Sequence, residues 1–545
     1  MKKLFLTVVT LIAAITSSMA CTNLIVGKAA SADGSVIVSY SADSYGMYGY
    51  LCHYPAAVHA EGTWREVHDW ETGRYTGRIP EAAQTYNVIG NINEYQVTIA
   101  ETTFGGREEL VNPEGIIDYG SLIYIALQRS KTAREAIDVM TSLVEEYGYN
   151  SGGESFSIAD PNEVWIMEMI GKGPGNKGAV WVAIRIPDDC ISAHANQARI
   201  RQFPLKDKKN CLYAKDVIKF AREKGYFEGK DSEFDFAAAY CPADFGGLRY
   251  CDARVWSYFN MFAATDMNAY LPWAMGDASA TPMPLYVQPK QKVSVRDVQN
   301  AMRDHYEGTP MDITQDLGAG PWSMPYRPSP LSFKVDDKTY FNERPISTQQ
   351  TAFTFVSQMR SELPNAIGGV LWFGTDDANM AVFTPVYCCT NVVPECYKRE
   401  KADAVTFSAE SAFWLFNMVS NMVYPRYSAL IGDLKKVQQE CEDAFAANQA
   451  AVEAKAMELY NDNAPKATAM LTKYTAETAM STMEAWGNLA KFLIVKHNDM
   501  VVKPEENGVF KRIETGEGVS PIRNGYPEHF NRRIAKETGE RYLMK

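Results

Sequence analysis

Histidine is scarce in this 545-residue chain: seven are scattered along it, with no His-x-x-x-His pair and no Cys-x-x-Cys pair. The usual zinc-ligand spacings are therefore missing, and metal-dependent hydrolysis has little support. Basic charge is also short. Lys and Arg number 54 against 66 Asp and Glu, a formal balance of −12 with no basic stripe, which argues against a nucleic-acid partner. No fixed-period repeat and no low-complexity tract is present, so solenoids and disordered arrays are set aside. Past the first residues, no stretch is long and apolar enough to cross a membrane. What is present is a hydrophobic share of 46%, ordinary for a globular protein, in a chain long enough for several domains or one large one with appendages.

The first residues place Lys2 and Lys3 ahead of an apolar run from Leu4 to Ile15, which gives way to Thr16-Ser17-Ser18-Met19-Ala20. This is the pattern of a secretory signal peptide. The run falls short of the roughly 20 apolar residues a bilayer core requires, and Ser18 and Ala20 sit where a leader peptidase reads positions −3 and −1. Cleavage after residue 20 is expected to export the chain to the periplasm or the medium, with Cys21 first. All ten cysteines lie from Cys21 onward. In an oxidising compartment some are expected to pair, in a connectivity the sequence does not give. Cys388, Cys389 and Cys396, close-set and without accompanying His, read as a local disulfide rather than a zinc site.

Strand signals open the mature chain: Thr22–Val26, a polar turn at 31–35, then Val36–Tyr40, which together predict a hairpin. Further strands are expected at Asn87–Gly90, Gln96–Thr102, Glu163–Glu168, Ala179–Arg185, Thr351–Val356 and Gly369–Gly374. Helical spacing covers Ser121–Glu146 and Cys211–Lys224. Pro272–Pro330, rich in Pro, Gly and aromatics, reads as irregular structure. From about Ser408 to Val502 the composition turns to Ala, Glu, Lys, Met and Leu, interrupted near Pro425 and Asn461–Pro465, and predicts several helices.

A cysteine at the first position of a mature chain carries a thiol and an α-amine on one residue. The amine, with an unperturbed pKa of about 7.7–8.0, is able to take the thiol proton and return it to the leaving group, so no distant His is needed. Two other readings stand beside the nucleophile: a half-cystine, and the lipid-bearing first residue of a bacterial lipoprotein. Ser18 at −3 and the bulky Met19 at −2 weaken the lipoprotein reading. The leader alone leaves the three level.

The run Cys21-Thr22-Asn23-Leu24-Ile25-Val26-Gly27-Lys28-Ala29-Ala30-Ser31-Ala32-Asp33-Gly34-Ser35, with Asp43 after it, resembles the mature start of the dipeptidase A family of N-terminal nucleophile hydrolases, relatives of the choloylglycine hydrolases and penicillin V acylases. Three later blocks, 90–106, 192–200 and 250–256, resemble the same family in the same order. The resemblance implies an α+β fold, a four-layer αββα sandwich with a C-terminal helical section. It divides the chain into a signal peptide at 1–20, a hydrolase body at 21–405 and a helical section at 406–545. It implies hydrolysis of dipeptides or short peptides through an acyl-enzyme on Cys21, with no cofactor and no metal. Small peptides are the expected partners, and homo-oligomerisation stays open.

Position by position, Cys21 matches the nucleophile and Asp43 the acid that holds the thiol and amine. Asn196 matches a side-chain amide aimed at the developing oxyanion, and Arg254 a basic residue near the thiol. Thr103 falls where the acylases place an oxyanion-hole Asn. Glu101 is suited to the free ammonium of a short peptide, its alternative being a buried strand Glu paired with an Arg. One position departs from the pattern: relatives carry Arg three residues before Asp43, and this chain has Tyr40, whose phenol supplies no permanent charge. An N-acyl amide hydrolase and a Cys21-lipidated surface binding protein are the alternative functions.

Overall fold

The computed structural model describes residues 20–544; the expected leader, apart from Ala20, lies outside the described residues. Cys21 leads into β1 (Asn23–Val26), which turns back as β2 (Val36–Asp43), and every residue of both is buried. Strand β2 opens as an apolar run, Val36-Ile37-Val38, and then alternates apolar residues with Ser39, Ser41 and Asp43. The turn is local chemistry: Gly34 takes φ +76°, and Asp33 Oδ1 accepts from the Ser35 N–H and hydroxyl at 3.1 and 2.6 Å.

The chain then lays down a second sheet in sequence order. Strands β3 (His53–Tyr54), β4 (Val88–Ile89), β5 (Ile92–Asn93), β6 (Thr98–Gly105), β7 (Gly153–Ala159), β8 (Val164–Gly171) and β9 (Ala179–Arg185) each pair antiparallel with the one before. It returns to the first sheet as β10 (Ile191–His194) beside β1, adds β11 (Cys211–Tyr213) outside β9, and adds β12 (Tyr286–Val287) outside β10. Finally β13 (Thr351–Met359) pairs with β2, and β14 (Val370–Thr375) and β15 (Thr384–Tyr387) extend that edge. The result is two antiparallel sheets of seven and eight strands. They meet where β1 and β2 pack on β6, and β2 also on β7.

Helices α1 (Tyr119–Arg129) and α2 (Ala133–Tyr147) lie against the second sheet; α3 (Ala253–Phe262) and α4 (Val295–Ala301) lie against β10 and β13 of the first. The helical spacing over 121–146 is thus two helices, each with its own cap: Asp118 accepts from the Gly120 and Ser121 amides, and Thr132 from that of Glu135. Cys211–Tyr213, expected to be helical, is strand β11 instead, because the open edge of β9 supplies backbone partners; helix follows only at Val217–Glu223. Helix α4, in the region expected to be irregular, starts at a Ser294–Asp297 capping box. The local disulfide expected among Cys388, Cys389 and Cys396 is not formed. All ten cysteines are thiols, and Cys388 Sγ points away to donate to the Asn365 carbonyl at 3.0 Å.

Helices α5 (Ala412–Val423), α6 (Tyr427–Asp462) and α7 (Ala464–His497) break around Pro425 and at Asn463, within the interruptions expected near Pro425 and Asn461–Pro465, and pack on β14 and β15. Fully buried Trp486 stacks on Phe416 at 4.5 Å. Arg360, just past β13, reaches Glu453 of α6 with two parallel bonds of 2.8 and 2.6 Å. Both are buried, so Glu453→Ala strands a guanidinium without its partner. The expected loss is about 3–5 kcal/mol, read as a lower thermal midpoint.

Candidate active site

Cys21 sits where the two sheets meet, completely buried at the head of β1. Its Sγ lies 3.5 Å from the Tyr40 hydroxyl on β2 and 3.6 Å from Glu101 Oε1 on β6, and the Tyr40 hydroxyl donates to the same carboxylate oxygen at 2.7 Å. Tyr40 therefore does not replace a missing charge; it orients Glu101. Burial, then the Glu101 and Asp43 carboxylates, push the Cys21 thiol well above its ordinary pKa. Cys21 therefore rests as a thiol rather than a thiolate.

Arg254, on α3 and almost fully buried, joins two of the other expected positions, Cys21 and Asn196. Its Nη1 donates to the Cys21 carbonyl at 2.6 Å and to Thr22 Oγ1 at 2.7 Å, and its Nη2 donates to Asn196 Oδ1 at 2.9 Å and to the Ala195 carbonyl at 3.0 Å. Asn196 follows β10 with φ +65°, a conformation Asn tolerates better than most residues, and its Nδ2 donates to the Thr103 carbonyl at 2.7 Å. The guanidinium thus grips the backbone and side chains around Cys21 rather than the sulfur itself. The Thr103 hydroxyl is turned to Glu154 Oε1 at 2.7 Å, so at this position it is the backbone, not the hydroxyl, that faces Asn196.

Asp43 closes the other side. Its Oδ1 accepts from Thr351 Oγ1 at 2.6 Å, and its Oδ2 accepts from Ser41 Oγ at 3.0 Å and pairs with Arg344. Arg344 also donates to the Ala20 carbonyl, while the Ala20 N–H donates to the Asp43 carbonyl at 3.0 Å. Arg344, which reaches Asp43 from 301 residues away, is the residue the sequence reading missed.

Behind these groups His194, the last residue of β10, ties the sheets together. One ring nitrogen meets Thr102 Oγ1 at 2.7 Å, the other meets Ser157 Oγ at 2.7 Å, and the Asn23 amide lies at 3.3 Å. Burial first, then Arg199, lowers its pKa to about 3. The folded state thus keeps His194 neutral, while the unfolded chain takes up a proton near pH 6.5. The unfolded state binds more protons between those limits, so stability falls as pH drops from about 6.5 to about 3, by up to about 5 kcal/mol from this residue. Urea midpoints of His194→Gln are expected to fall less steeply across that window than those of the parent.

Next to the centre lies a cleft of about 730 Å³ whose wall includes Ser44, Tyr50, Trp70, Glu71 and Arg399. Tyr119 stands behind that wall, its ring edge-on to Trp70 at 6.1 Å and its hydroxyl donating to Glu71 Oε1 at 2.9 Å. Among the described residues no cluster of His, Cys, Asp and Glu is arranged to hold a metal ion, and no helix is long and apolar enough to cross a membrane.

A family model described as peptidase family C69 matches residues 20–53 and 49–440. The chain is 28% identical over 392 residues to a probable dipeptidase of Salmonella dublin, covering 68% of this chain and 81% of that protein. It is 26% identical over 501 residues to a probable dipeptidase of Latilactobacillus sakei, covering 88% and 95%. To dipeptidase A of Lactobacillus helveticus it is 25% identical over 448 residues, covering 78% and 84%.

Proposed function

Because the chain belongs to peptidase family C69, we propose that it is an exported dipeptidase whose nucleophile is Cys21, freed as the first residue by removal of 1–20. Its scaffold is the four-layer αββα sandwich of N-terminal nucleophile hydrolases, with the body at 21–405 and the helical section at 406–545. The observation that carries this reading is the Arg254 guanidinium, which ties the Cys21 carbonyl and the Asn196 side chain to one another.

In the mature protein the Cys21 α-amine takes the thiol proton as sulfur attacks the scissile carbonyl. Asn196 answers the developing oxyanion. The ammonium then returns its proton to the leaving amine, and a thioester remains. Water, activated by the same amine, releases the acid. Asp43, fixed by Arg344, Thr351 and Ser41, holds the amine end of the site. Glu101, at 3.6 Å from the sulfur, receives the substrate ammonium.

The test is the intact mass of the protein taken from its native compartment, followed by a dipeptide assay. A mass matching residues 21–545, with release of free amino acids from Ala-Ala, is expected. A mass raised by acyl chains blocks the amine and sinks the mechanism.

A further inference from the structure

Glu154 is as deeply buried as Glu101 and lies diagonally across the β6–β7 pair from it. Thr103 is opposite Glu154 and Glu101 opposite Phe156, so both carboxyls project from the same face of the second sheet, the face that meets Cys21. Directly paired strand residues share a face, and diagonal neighbours are within side-chain reach. Glu154 Oε1 is held by Thr103, and Glu101 Oε1 by Tyr40 and Cys21.

Among the described residues no donor satisfies Glu101 Oε2 or Glu154 Oε2, and neither carboxyl forms an ion pair. The two arginines nearest the centre are committed elsewhere, Arg254 to the Cys21 carbonyl and Arg344 to Asp43. The titratable groups acting on the pair include Tyr40, Tyr119, Tyr149, Glu71 and Cys21, none of them a cation. Burial pushes both carboxyls up. Two carboxyls within reach of one another on a buried face, with no cation to pair with, keep a proton between them.

We propose that Glu101 and Glu154 together form the subsite for the α-ammonium of the substrate's first residue, and that the ammonium enters by displacing the proton the two carboxyls share. This rests on reading Cys21 as the nucleophile of a dipeptidase. In a dipeptide the α-nitrogen is two bonds, about 2.5 Å, from the carbonyl under attack, and an attacking sulfur stands about 3–3.5 Å from that carbon. The ammonium is therefore confined to within about 6 Å of Sγ, the shell in which Glu101 lies.

The exchange keeps the buried charge constant. Before it, two carboxyls and one proton carry a single negative charge; after it, two carboxylates and one ammonium carry the same, and the proton has gone to buffer. No uncompensated charge is buried at either stage. A substrate lacking the ammonium has nothing to trade for the proton, so the subsite selects peptides with an unblocked amino end. The acidic wall at Glu71, joined to Tyr119 beside the pair, provides the approach from the cleft.

The test uses the mature Cys21→Ala protein at pH 6, where the peptide and protein amines are both protonated. Binding of Ala-Ala and of propionyl-alanine, the same molecule with hydrogen in place of the ammonium, is measured by calorimetry in two buffers of different ionisation enthalpy. Release of about one proton per Ala-Ala bound is expected, with binding at least tenfold weaker for propionyl-alanine and no proton release once Glu154→Gln is added. Ala-Ala binding without proton release overturns the proposal, as does equal affinity for propionyl-alanine, and neither result requires a Glu154 variant to fold. Turnover by the unmutated protein separates this from the reading beneath it. If it hydrolyses both compounds alike, the subsite fails and the hydrolase stands. If it hydrolyses neither while Cys21→Ala binds Ala-Ala with proton release, the subsite stands and the hydrolase fails.

Discussion

Mature protein carrying Cys21→Ala is expected to release amino acids from dipeptides at least about 10⁴-fold more slowly than the parent, because covalent catalysis has no substitute nucleophile at this position. The loss is chemical rather than structural. Cys21 is fully buried and its contacts through sulfur are with Tyr40 and Glu101, and those two keep their own 2.7 Å bond when the sulfur is gone. Arg254 grips the backbone carbonyl of residue 21, a bond alanine retains. The unfolding midpoint should therefore move little, by the order of 1 kcal/mol that removal of one buried heavy atom brings. Measuring kcat on Ala-Ala alongside a thermal melt separates the two effects. Activity within tenfold of the parent, in a protein that melts normally, would mean another group does the attack.

The two sheets were largely legible because their central strands are local signals: the 31–35 turn, the β-branched and aromatic residues of β2 and β13, and the run at 179–185 that is β9 residue for residue. What escaped was whatever a strand acquires only from a neighbour. Strands β3 and β12 are two residues each, and β11 is a strand solely because β9 has an edge to fill. The site divides the same way. Cys21, Glu101, Thr103, Asn196 and Arg254 sit in runs with recognisable wording, and the fold brings them together through Arg254, Asn196 and the β1–β6 contact. Arg344 and Glu154 carry no local mark. Arg344 meets Asp43 only because β13, which begins seven residues later, pairs along β2, and Glu154 meets the β6 carboxyl only through the β6–β7 register.

The pairing of Arg344 with Asp43 bears directly on how residue 20 is treated. A chain that starts at Ala20 is expected to fold as well as one that starts at Cys21, yet to turn over about 10²–10⁴-fold more slowly, the range general-base catalysis commands. It should fold because a place for Ala20 exists: its N–H donates to the Asp43 carbonyl at 3.0 Å and its carbonyl accepts from Arg344. It should be slow because the nitrogen of Cys21 is then a peptide nitrogen, its lone pair delocalised into the carbonyl and unable to take the proton of a thiol whose pKa burial has pushed up. Once Ala20 is gone, Arg344 turns its charge wholly to Asp43, and the new amine lies beside that pair. The two chains should also differ in pH dependence. Turnover by the Cys21-first chain should climb as its amine loses a proton, around the ordinary range of about 7.7–8.0, whereas the residual rate of the Ala20-first chain should lack that step. Equal rates from the two chains would show that the thiol proton leaves by some other route, and Glu101, 3.6 Å from the sulfur, would be the base to examine next.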